Sequence, residues 1–256
     1  MIASTILPLL AASVAPADAG SFAKPIHPVT LVADEEKGWS GSVTAGANIR
    51  TGNTENKSAS LTAGATWRGE SNRFIAEALW NYQEDNVSVI QRKVYGSAQF
   101  DHFYNDATYS YAKASGDHDN EAALKLRWTG GIGLGQQLRD DSEWNISAEG
   151  GLSYVDEEYE PTSSGPGSAV DYFSARLAYN TAYLASETWE FSHGGEVFPS
   201  LENSDDIYAR WDTKVKTNLT DAMFAQLQWI WDYDNTPAEG KGRNDSLFAL
   251  TVGWSF

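Results

Sequence analysis

The last twelve residues of the chain, 245–256, restrict its fold more than any other stretch of the sequence. Apolar side chains occupy every second position here, and smaller or polar side chains fill most of the positions between them. The regular apolar positions are Phe248, Leu250, Val252, Trp254 and Phe256. Because successive side chains of a β-strand point to opposite faces, this alternation predicts a strand with one apolar face. A soluble sandwich and a membrane barrel both contain strands of this kind.

The chain stops directly on the aromatic residue that closes this apolar stripe. A strand of a soluble sheet is ordinarily followed by a turn. The ending resembles the carboxy-terminal signal that the bacterial barrel-insertion machinery reads in outer-membrane barrels. The resemblance implies that Phe248, Leu250, Val252, Trp254 and Phe256 form an insertion signal, and that the insertion machinery is a partner.

The same two-residue period runs through most of the chain from Trp39 onward. It predicts twelve strands, of which the fifth is short and ambiguous. Their predicted positions are 39–50, 58–68, 73–84, 92–104, 107–115, 122–138, 144–155, 170–184, 188–198, 206–218, 222–232 and 245–256. One such strand fits a half-buried soluble sheet equally well, whereas a long uninterrupted series favours a barrel.

The connections between the predicted strands alternate in length. The odd-numbered ones (51–57, 85–91, 116–121, 156–169, 199–205 and 233–244) are all longer than the even-numbered ones (69–72, 105–106, 139–143, 185–187 and 219–221). Membrane barrels have short periplasmic turns and longer outer loops. The sequence therefore predicts an all-β fold over residues 38–256, an antiparallel transmembrane β-barrel of about 12 strands in the outer membrane of a Gram-negative cell.

The amino-terminal segment predicts export. An apolar run from Ile6 to Ala15 precedes Ala17, Asp18 and Ala19, which fit a small-x-small cleavage site. We interpret residues 1–19 as a signal peptide and residues 20–37 as a periplasmic arm, so the mature chain is expected to begin at Gly20. Neither Lys nor Arg precedes the apolar run, and an incorrectly assigned start codon is the alternative explanation.

Composition excludes several functions. A formal net charge of −17 argues against nucleic-acid binding, which needs Lys and Arg at the phosphates. The absence of cysteine excludes disulfides and thiolate metal sites. No stretch approaches the roughly 18 apolar residues of a membrane-spanning helix, so a membrane protein of this sequence has to be a barrel.

A search for catalytic and ligand-binding chemistry predicts no catalytic residue, no cofactor and no metal site. His102 follows Asp101 directly, so the two side chains point to opposite faces of their strand. His193 has no nucleophile or acid at a readable spacing. Asp117, His118 and Asp119 are expected in a solvated loop rather than around a divalent cation. The spaced glycines Gly131, Gly133 and Gly135 continue a strand, which indicates close backbone packing or curvature rather than a phosphate loop.

Charged residues divide into an acidic mouth and a mixed wall. The carboxylates assigned to outer loops are Glu55, Asp85, Asp117, Asp119, Asp156, Glu157, Glu158, Glu160, Glu202, Asp205, Asp206, Asp234 and Glu239. The basic residues assigned to inward faces are Arg50, Arg68, Lys93, Lys125, Arg127, Arg176, Arg210, Lys214 and Lys216. The acidic residues assigned there are Glu77, Asp101, Glu149, Glu190, Glu196, Asp212 and Asp232. Such a lining either flanks an aqueous path or pairs across the lumen into a plug, because buried charges need partners.

Several motifs resemble one bacterial family. They are Gly38-Trp39-Ser40-Gly41-Ser42, then 50–55 (RTGNTE), then 117–121, which leads into the 126–135 stretch LRWTGGIGLG. Together with the final Phe256, they are similar to the salt-induced outer-membrane proteins, a domain-of-unknown-function family numbered 481. The resemblance covers residues 38–256 and implies an outer-membrane barrel, a link to salt or acid stress, and no agreed activity or site residue.

Three functional classes follow from the sequence. A narrow passive channel for small hydrophilic solutes or ions is favoured, because side chains fill a lumen of eight strands more easily than one of twelve. A closed structural or stress-adaptation barrel, with acidic outer loops that meet cations or lipopolysaccharide, is the alternative. An outer-membrane hydrolase is the third class and the least favoured. The oligomeric state is not readable from the sequence.

Overall fold

The computed structural model describes residues 37–50, 56–86 and 88–256. The predicted signal peptide and nearly all of the predicted arm lie outside these residues. Twelve strands are present: β1 (Gly38–Arg50), β2 (Asn56–Arg68), β3 (Asn72–Asp85), β4 (Val89–Phe103), β5 (Thr108–Asp119), β6 (Leu124–Asp140), β7 (Trp144–Tyr159), β8 (Ala169–Leu184), β9 (Trp189–Pro199), β10 (Ile207–Asn218), β11 (Met223–Asp234) and β12 (Asn244–Ser255). No helix in the described part of the chain is long and apolar enough to cross a membrane.

The twelve strands form one closed antiparallel barrel. Each strand pairs with its neighbours in the chain, and β1 pairs with β12 to close the ring. The predicted fold class is therefore confirmed, including the strand that the sequence left ambiguous, which is β5. Closure joins the two ends of the strand order, as a membrane requires, because open sheet edges are excluded from hydrocarbon.

The outer face of the barrel is apolar. Side chains such as Ile132, Leu250 and Phe256 are 68%, 74% and 71% exposed. The predicted insertion-signal residues, four in β12 and Phe256 directly after it, all lie on this face, while Ala249, Thr251 and Gly253 between them are buried in the barrel. Apolar side chains exposed around a whole barrel are the surface that lipid covers.

The connections at the two ends of the barrel differ less regularly than predicted. We call the end with connections 69–71, 104–107, 141–143, 185–188 and 219–222 the turn end, and the opposite end the loop end. Three loop-end connections are long, at 160–168, 200–206 and 235–243, but 86–88 and 120–123 are as short as the turns. The expectation that every odd connection is longer was wrong, because β4 begins earlier and β5 ends later than predicted, at Val89 and Asp119.

The turn at 141–143 shows how the short connections are held. The Asp141 carboxylate accepts the backbone N–H groups of Trp144 and Glu143 at 2.8 and 2.9 Å, and it also accepts from the Arg139 guanidinium. The backbone bond from Trp144, the Arg139 contact and the backbone bond from Glu143 lower the pKa of the Asp141 carboxyl. These bonds satisfy backbone groups that the turn removes from the sheet.

Candidate functional site: the charged lumen

The lumen is lined by alternate residues of each strand, and many of these residues are polar or charged. Buried inward side chains include Lys93, Asp101, Arg127 and Glu149. Charges removed from water need partners, so the lumen is organised by ion pairs rather than by an apolar core. Two groups of these ion pairs occupy different heights in the barrel.

The first group, which we call the central cluster, consists of Lys113, Glu149, Arg176 and Glu196. Glu196 receives the Lys113 Nζ at 2.7 Å and the Arg176 Nη2 at 3.0 Å. Arg176 Nη1 also lies 2.7 Å from Glu149 Oε2. The Tyr109 hydroxyl donates to Glu149 at 2.8 Å and helps to fill the lumen below the pair.

The second group, which we call the loop-end cluster, lies nearer the loops. It consists of Lys93, Asp117, Asp119, Arg127, Glu157, Arg210, Asp232 and Asp234. Its shortest contacts are Arg127 Nε to Glu157 Oε1 at 2.6 Å, Arg127 Nη2 to Asp234 Oδ2 at 2.5 Å, and Lys93 Nζ to Asp232 Oδ2 at 2.7 Å. Arg210 Nε donates to Asp232 Oδ1 at 2.7 Å. Three or more charged groups thus share each buried region.

Several of these pairs cross the lumen. Lys93 is on β4 and Asp232 is on β11, and these strands are not neighbours in the barrel. Arg127 on β6 likewise reaches Asp234 on β11. At the same level Arg127 stacks over the Tyr208 ring at 3.9 Å. Side chains from opposite walls therefore meet inside the lumen near the loop end, and they narrow it there.

A cavity of about 110 Å³ remains inside the barrel. Its wall includes Glu77, Lys113, Arg176, Arg210 and Asp212, so it borders both clusters. This space is sufficient for several water molecules, and its polar wall offers them partners. A smaller cavity of about 20 Å³ lies within the loop-end cluster.

Most of the predicted lumen charges lie inside the barrel. Arg127, Glu149, Arg176 and Arg210 are in the two clusters, and Glu77 and Asp212 line the larger cavity. Asp212 also accepts two bonds from Gln228 and pairs with Lys214. Arg68 lies over the Phe103 ring at the turn end. Arg50 is exposed at the loop end of β1, so it is not enclosed by the lumen.

Some inward charges were missed from the sequence, among them Arg73 and Lys113. Arg73 pairs with Asp101 at 2.7 Å, and Lys113 belongs to the central cluster. The two-residue period places Arg73 in register with Ile75 and Glu77, and this signal was available. Lys113 was hidden because the apolar period of β5 is weak.

Several carboxylates assigned to the acidic mouth are in strands instead. Glu157 in β7 is 2% exposed and holds Arg127, and Asp117 and Asp119 in β5 are also buried. Asp234 ends β11 inside the loop-end cluster. Asp156 and Glu158 lie on the outer side of β7. Strands continue beyond the apolar belt because ladder hydrogen bonds persist where the outward residues become polar.

Lys125 was assigned to the inward face, and this was wrong. Its ammonium lies 2.5 Å from the Glu158 carboxylate, and both side chains are about half exposed. The ladder of β6 shifts register between Leu124 and Leu126. An irregularity of this kind moves a side chain to the other face of the sheet.

The glycines of β6 make room for tyrosine rings that lie along the inner wall of the barrel. A Cβ at Gly135 would lie 2.2 Å from the Tyr109 ring, and one at Gly133 would lie 2.6 Å from the Tyr111 hydroxyl. Both glycines face inward and continue the strand, as the sequence indicated. A Cβ at Gly151 on β7 would lie 2.5 Å from the same Tyr111 hydroxyl.

Replacing Gly135 with alanine is expected to displace Tyr109 from Glu149 and to destabilise the barrel by about 1–3 kcal/mol, the usual cost of overpacking. The temperature of the mobility shift on gels measures this loss. Gly130→Ala is the matched control on the same strand, since its Cβ would meet only the Trp128 ring at 3.5 Å. Equal shifts for the two variants would contradict the role given to Gly135.

The sequence also offered candidates for catalysis and metal binding. Asp101 is fully buried while His102 is exposed, so the two do face opposite ways. His193 contacts the Tyr179 and Thr213 hydroxyl oxygens at 2.6 and 2.8 Å. In residues 37–50, 56–86 and 88–256, no three His, Cys, Asp or Glu side chains are grouped to hold a metal ion.

Comparisons with known proteins identify one family and several barrels. Residues 43–256 match the family model described as "Protein of unknown function, DUF481". The fold is similar to the NanC porin (8% identity, 85% of this chain and 98% of that chain, TM-score 0.47). It is also similar to the translocator domain of the autotransporter NalP from Neisseria meningitidis (11%, 87% and 89%, 0.45) and to an outer-membrane channel from Pseudomonas putida F1 (11%, 87% and 96%, 0.44). No curated protein matches the chain.

Proposed function

This chain belongs to the DUF481 family of proteins of unknown function, and from its lumen we propose that it is an outer-membrane channel for small hydrophilic solutes or ions. The observation that carries the proposal is the charged lumen, in which a cavity of about 110 Å³ lies next to ion pairs. In this proposal the loop-end cluster narrows the path and the cavity forms part of it.

The charged residues of the lumen support a path for solutes rather than a lumen that is packed only for stability. Replacing buried ion pairs by well-packed apolar side chains is often neutral or stabilising, so ion pairs are weak evidence of a need for stability. A lumen that only had to be filled has no need for Lys93, Arg127, Arg176 and Arg210. A polar lining also keeps water and ions close to their hydrated state.

The cross-lumen contacts favour a second candidate, a closed structural or stress-adaptation barrel. Arg127 and Lys93 join opposite walls, and the same contacts that narrow a channel would seal a structural barrel. Its acidic loops would then meet cations or lipopolysaccharide at the cell surface. Conductance distinguishes the two candidates, because only the channel passes current.

We orient the barrel with the turn end in the periplasm, since short turns face that side in outer-membrane barrels. The loop end is then the cell surface. The proposed partners are outer-membrane lipid, lipopolysaccharide and the barrel-insertion machinery. Exposed loop carboxylates, among them Glu160, Glu202, Asp205 and Glu239, surround the outer opening.

In planar bilayers the purified protein is expected to show a small, stable conductance with a preference for cations. Neutralising Glu160, Glu202, Asp205 and Glu239 together should reduce this preference at 0.1 M salt and change little at 1 M. The reason is that exposed charges act over about 10 Å at 0.1 M and about 3 Å at 1 M salt. The reversal potential under a salt gradient measures the preference.

A matched variant neutralises four exposed carboxylates at the other end, Asp106, Glu143, Glu187 and Asp221. With 0.1 M salt on the loop side and 1 M on the turn side, this variant should keep the wild-type preference. Cation preference that survives removal of the loop carboxylates at low salt would show that the mouth does not set selectivity.

A further inference from the structure

The seam between β1 and β12 is the least paired line of the barrel. The two strands pair over four positions, residues 42–45 with 252–255. Backbone bonds of 2.9 Å between Gly41 and Phe256, in both directions, extend this ladder towards the turn end. By contrast, β1 pairs with β2 over thirteen positions and β11 with β12 over eleven. Within the described chain, residues 46–50 and 244–251 are therefore paired on one side only.

In the orientation proposed above, this half of the seam lies in the outer part of the membrane. A backbone N–H or C=O without a partner costs several kcal/mol in hydrocarbon, where no water replaces it. The strands remain adjacent, because a Cβ at Gly46 would lie 2.5 Å from the Leu250 carbonyl oxygen. The seam is thus closed but weakly held, and separation there breaks fewer ladder bonds than at the other neighbouring pairs.

The lumen side of the seam differs from the rest of the wall. The luminal ion pairs given above join strands from β3 to β11, whereas the inward positions of residues 40–48, 58–66 and 249–255 carry small side chains. The hydroxyl oxygens of Ser42, Ser60 and Ser255 are buried here and have no hydrogen-bond partner within the described chain. Buried hydroxyl groups ordinarily have partners, so these three indicate a polar occupant.

The lipid side of the seam is apolar. Ala45 and Ile49 on β1 face outward, as do Leu250 and Val252 on β12. A ligand that lies across the seam therefore meets hydrocarbon on one side and hydroxyl groups on the other. None of the stretches 42–48, 58–66 and 249–255 contains a charged residue. A charged head group at this place would therefore lack a partner of opposite charge.

We propose that the seam opens sideways at the loop end and admits a single-chain amphiphile with an uncharged, hydrogen-bonding head group. The head group reaches Ser60, which lies opposite Gly46 where the β1–β12 ladder ends. Ser42 and Ser255 continue the hydroxyl path towards the turn end. The hydrocarbon chain stays in the membrane between β1 and β12.

The test uses the full protein in lipid nanodiscs, with monolauroylglycerol as the probe. Hydrogen exchange of the amides at 46–50 and 246–251 is expected to be at least tenfold faster than at 59–63 and 78–82 in the fully paired β2–β3 ladder. The probe should slow exchange at the seam. Equal exchange rates at the two ladders would overturn the proposed opening.

A cross-link tests whether the seam itself responds. The chain has no cysteine, so Ala45→Cys with Val252→Cys supplies a unique pair for a short bismaleimide, which adds one thiol to each of its double bonds. Linking this pair should slow exchange at the seam and abolish the response to the probe. The same linkage at Ala63→Cys with Ala78→Cys, across β2 and β3, should leave both unchanged.

The head-group assignment has its own variants. Ser42→Ala with Ser60→Ala should lose the response to monolauroylglycerol, whereas Ser40→Ala with Ser58→Ala, the same change on the same strands, should keep it. A seam that exchanges quickly but ignores the probe, or that responds equally to dodecanoate, would overturn the assignment of an uncharged amphiphile. The conductance of the cross-linked barrel should stay at the wild-type value. Evidence against the opening of the seam is therefore separate from evidence against the channel.

Discussion

Replacing Arg127 with glutamine is expected to raise the single-channel conductance sharply. Arg127 holds Glu157 and Asp234 at 2.6 and 2.5 Å, and it joins opposite walls of the lumen. Without the guanidinium, two buried carboxylates face each other, and they must take up water or separate. Removing one partner of a buried ion pair costs about 3–5 kcal/mol. The ratio of closed to open lumen should fall by a factor of at least about 100.

The control for this variant is Arg139→Gln on the same strand. Arg139 pairs with Asp141, but both side chains are over two-fifths exposed, and such pairs contribute about 0–1 kcal/mol. Adding Glu157→Gln and Asp234→Asn to the Arg127 variant should restore much of the closed state, because the uncompensated charges are then removed. If neither the unmodified protein nor a folded Arg127→Gln barrel passes current, also when Arg210→Gln is added, the closed structural barrel is favoured.

Deleting Phe256 is expected to reduce membrane insertion severely. The Phe256 ring lies against the Gly41 backbone and is otherwise exposed to lipid, and its backbone completes the seam with Gly41. Moving the Phe side chain from water into hydrocarbon is worth about 1.5–3 kcal/mol. The ratio of folded to unfolded protein should therefore fall by at least about tenfold.

Two substitutions separate the side chain from the backbone. Phe256→Asn keeps the terminal backbone bonds and should still impair insertion, while Ser255→Asn, on the inward side, should have a much smaller effect. Heat-dependent gel mobility after insertion into vesicles with the purified insertion machinery measures the folded fraction. Equal folded fractions for the two substitutions would refute the insertion signal.

The fold was predictable because the barrel repeats one physical rule. Outward residues meet lipid and inward residues meet the lumen, so the two-residue period in β7 or β12 is visible without any tertiary information. The same rule failed where the outward residues become polar. In β5 the sequence placed Asp117 and Asp119 in a loop, although ladder hydrogen bonds hold both in the strand.

The candidate site was predictable only in part. The period identifies Arg127 and Arg176 as inward, but it does not say which carboxylate each one meets. Lys93 pairs with Asp232 because barrel closure places β4 across from β11, and no local pattern carries that information. Lys125 shows a second limit of the two-residue period. The period predicted an inward side chain, but one register shift in β6 places it on the outer face.

The cross-lumen pairs have a consequence for the lifetime of the folded barrel. Lys93 and Asp232 are 139 positions apart in the chain, and Arg127 and Asp234 are 107 apart. Neither pair can form before β11 has joined the sheet, so an assembling barrel has a wet lumen until late in folding. Contacts that are absent from the folding transition state slow unfolding more than they speed folding. The loop-end cluster therefore slows unfolding of the completed barrel, and it has little effect on the rate of assembly.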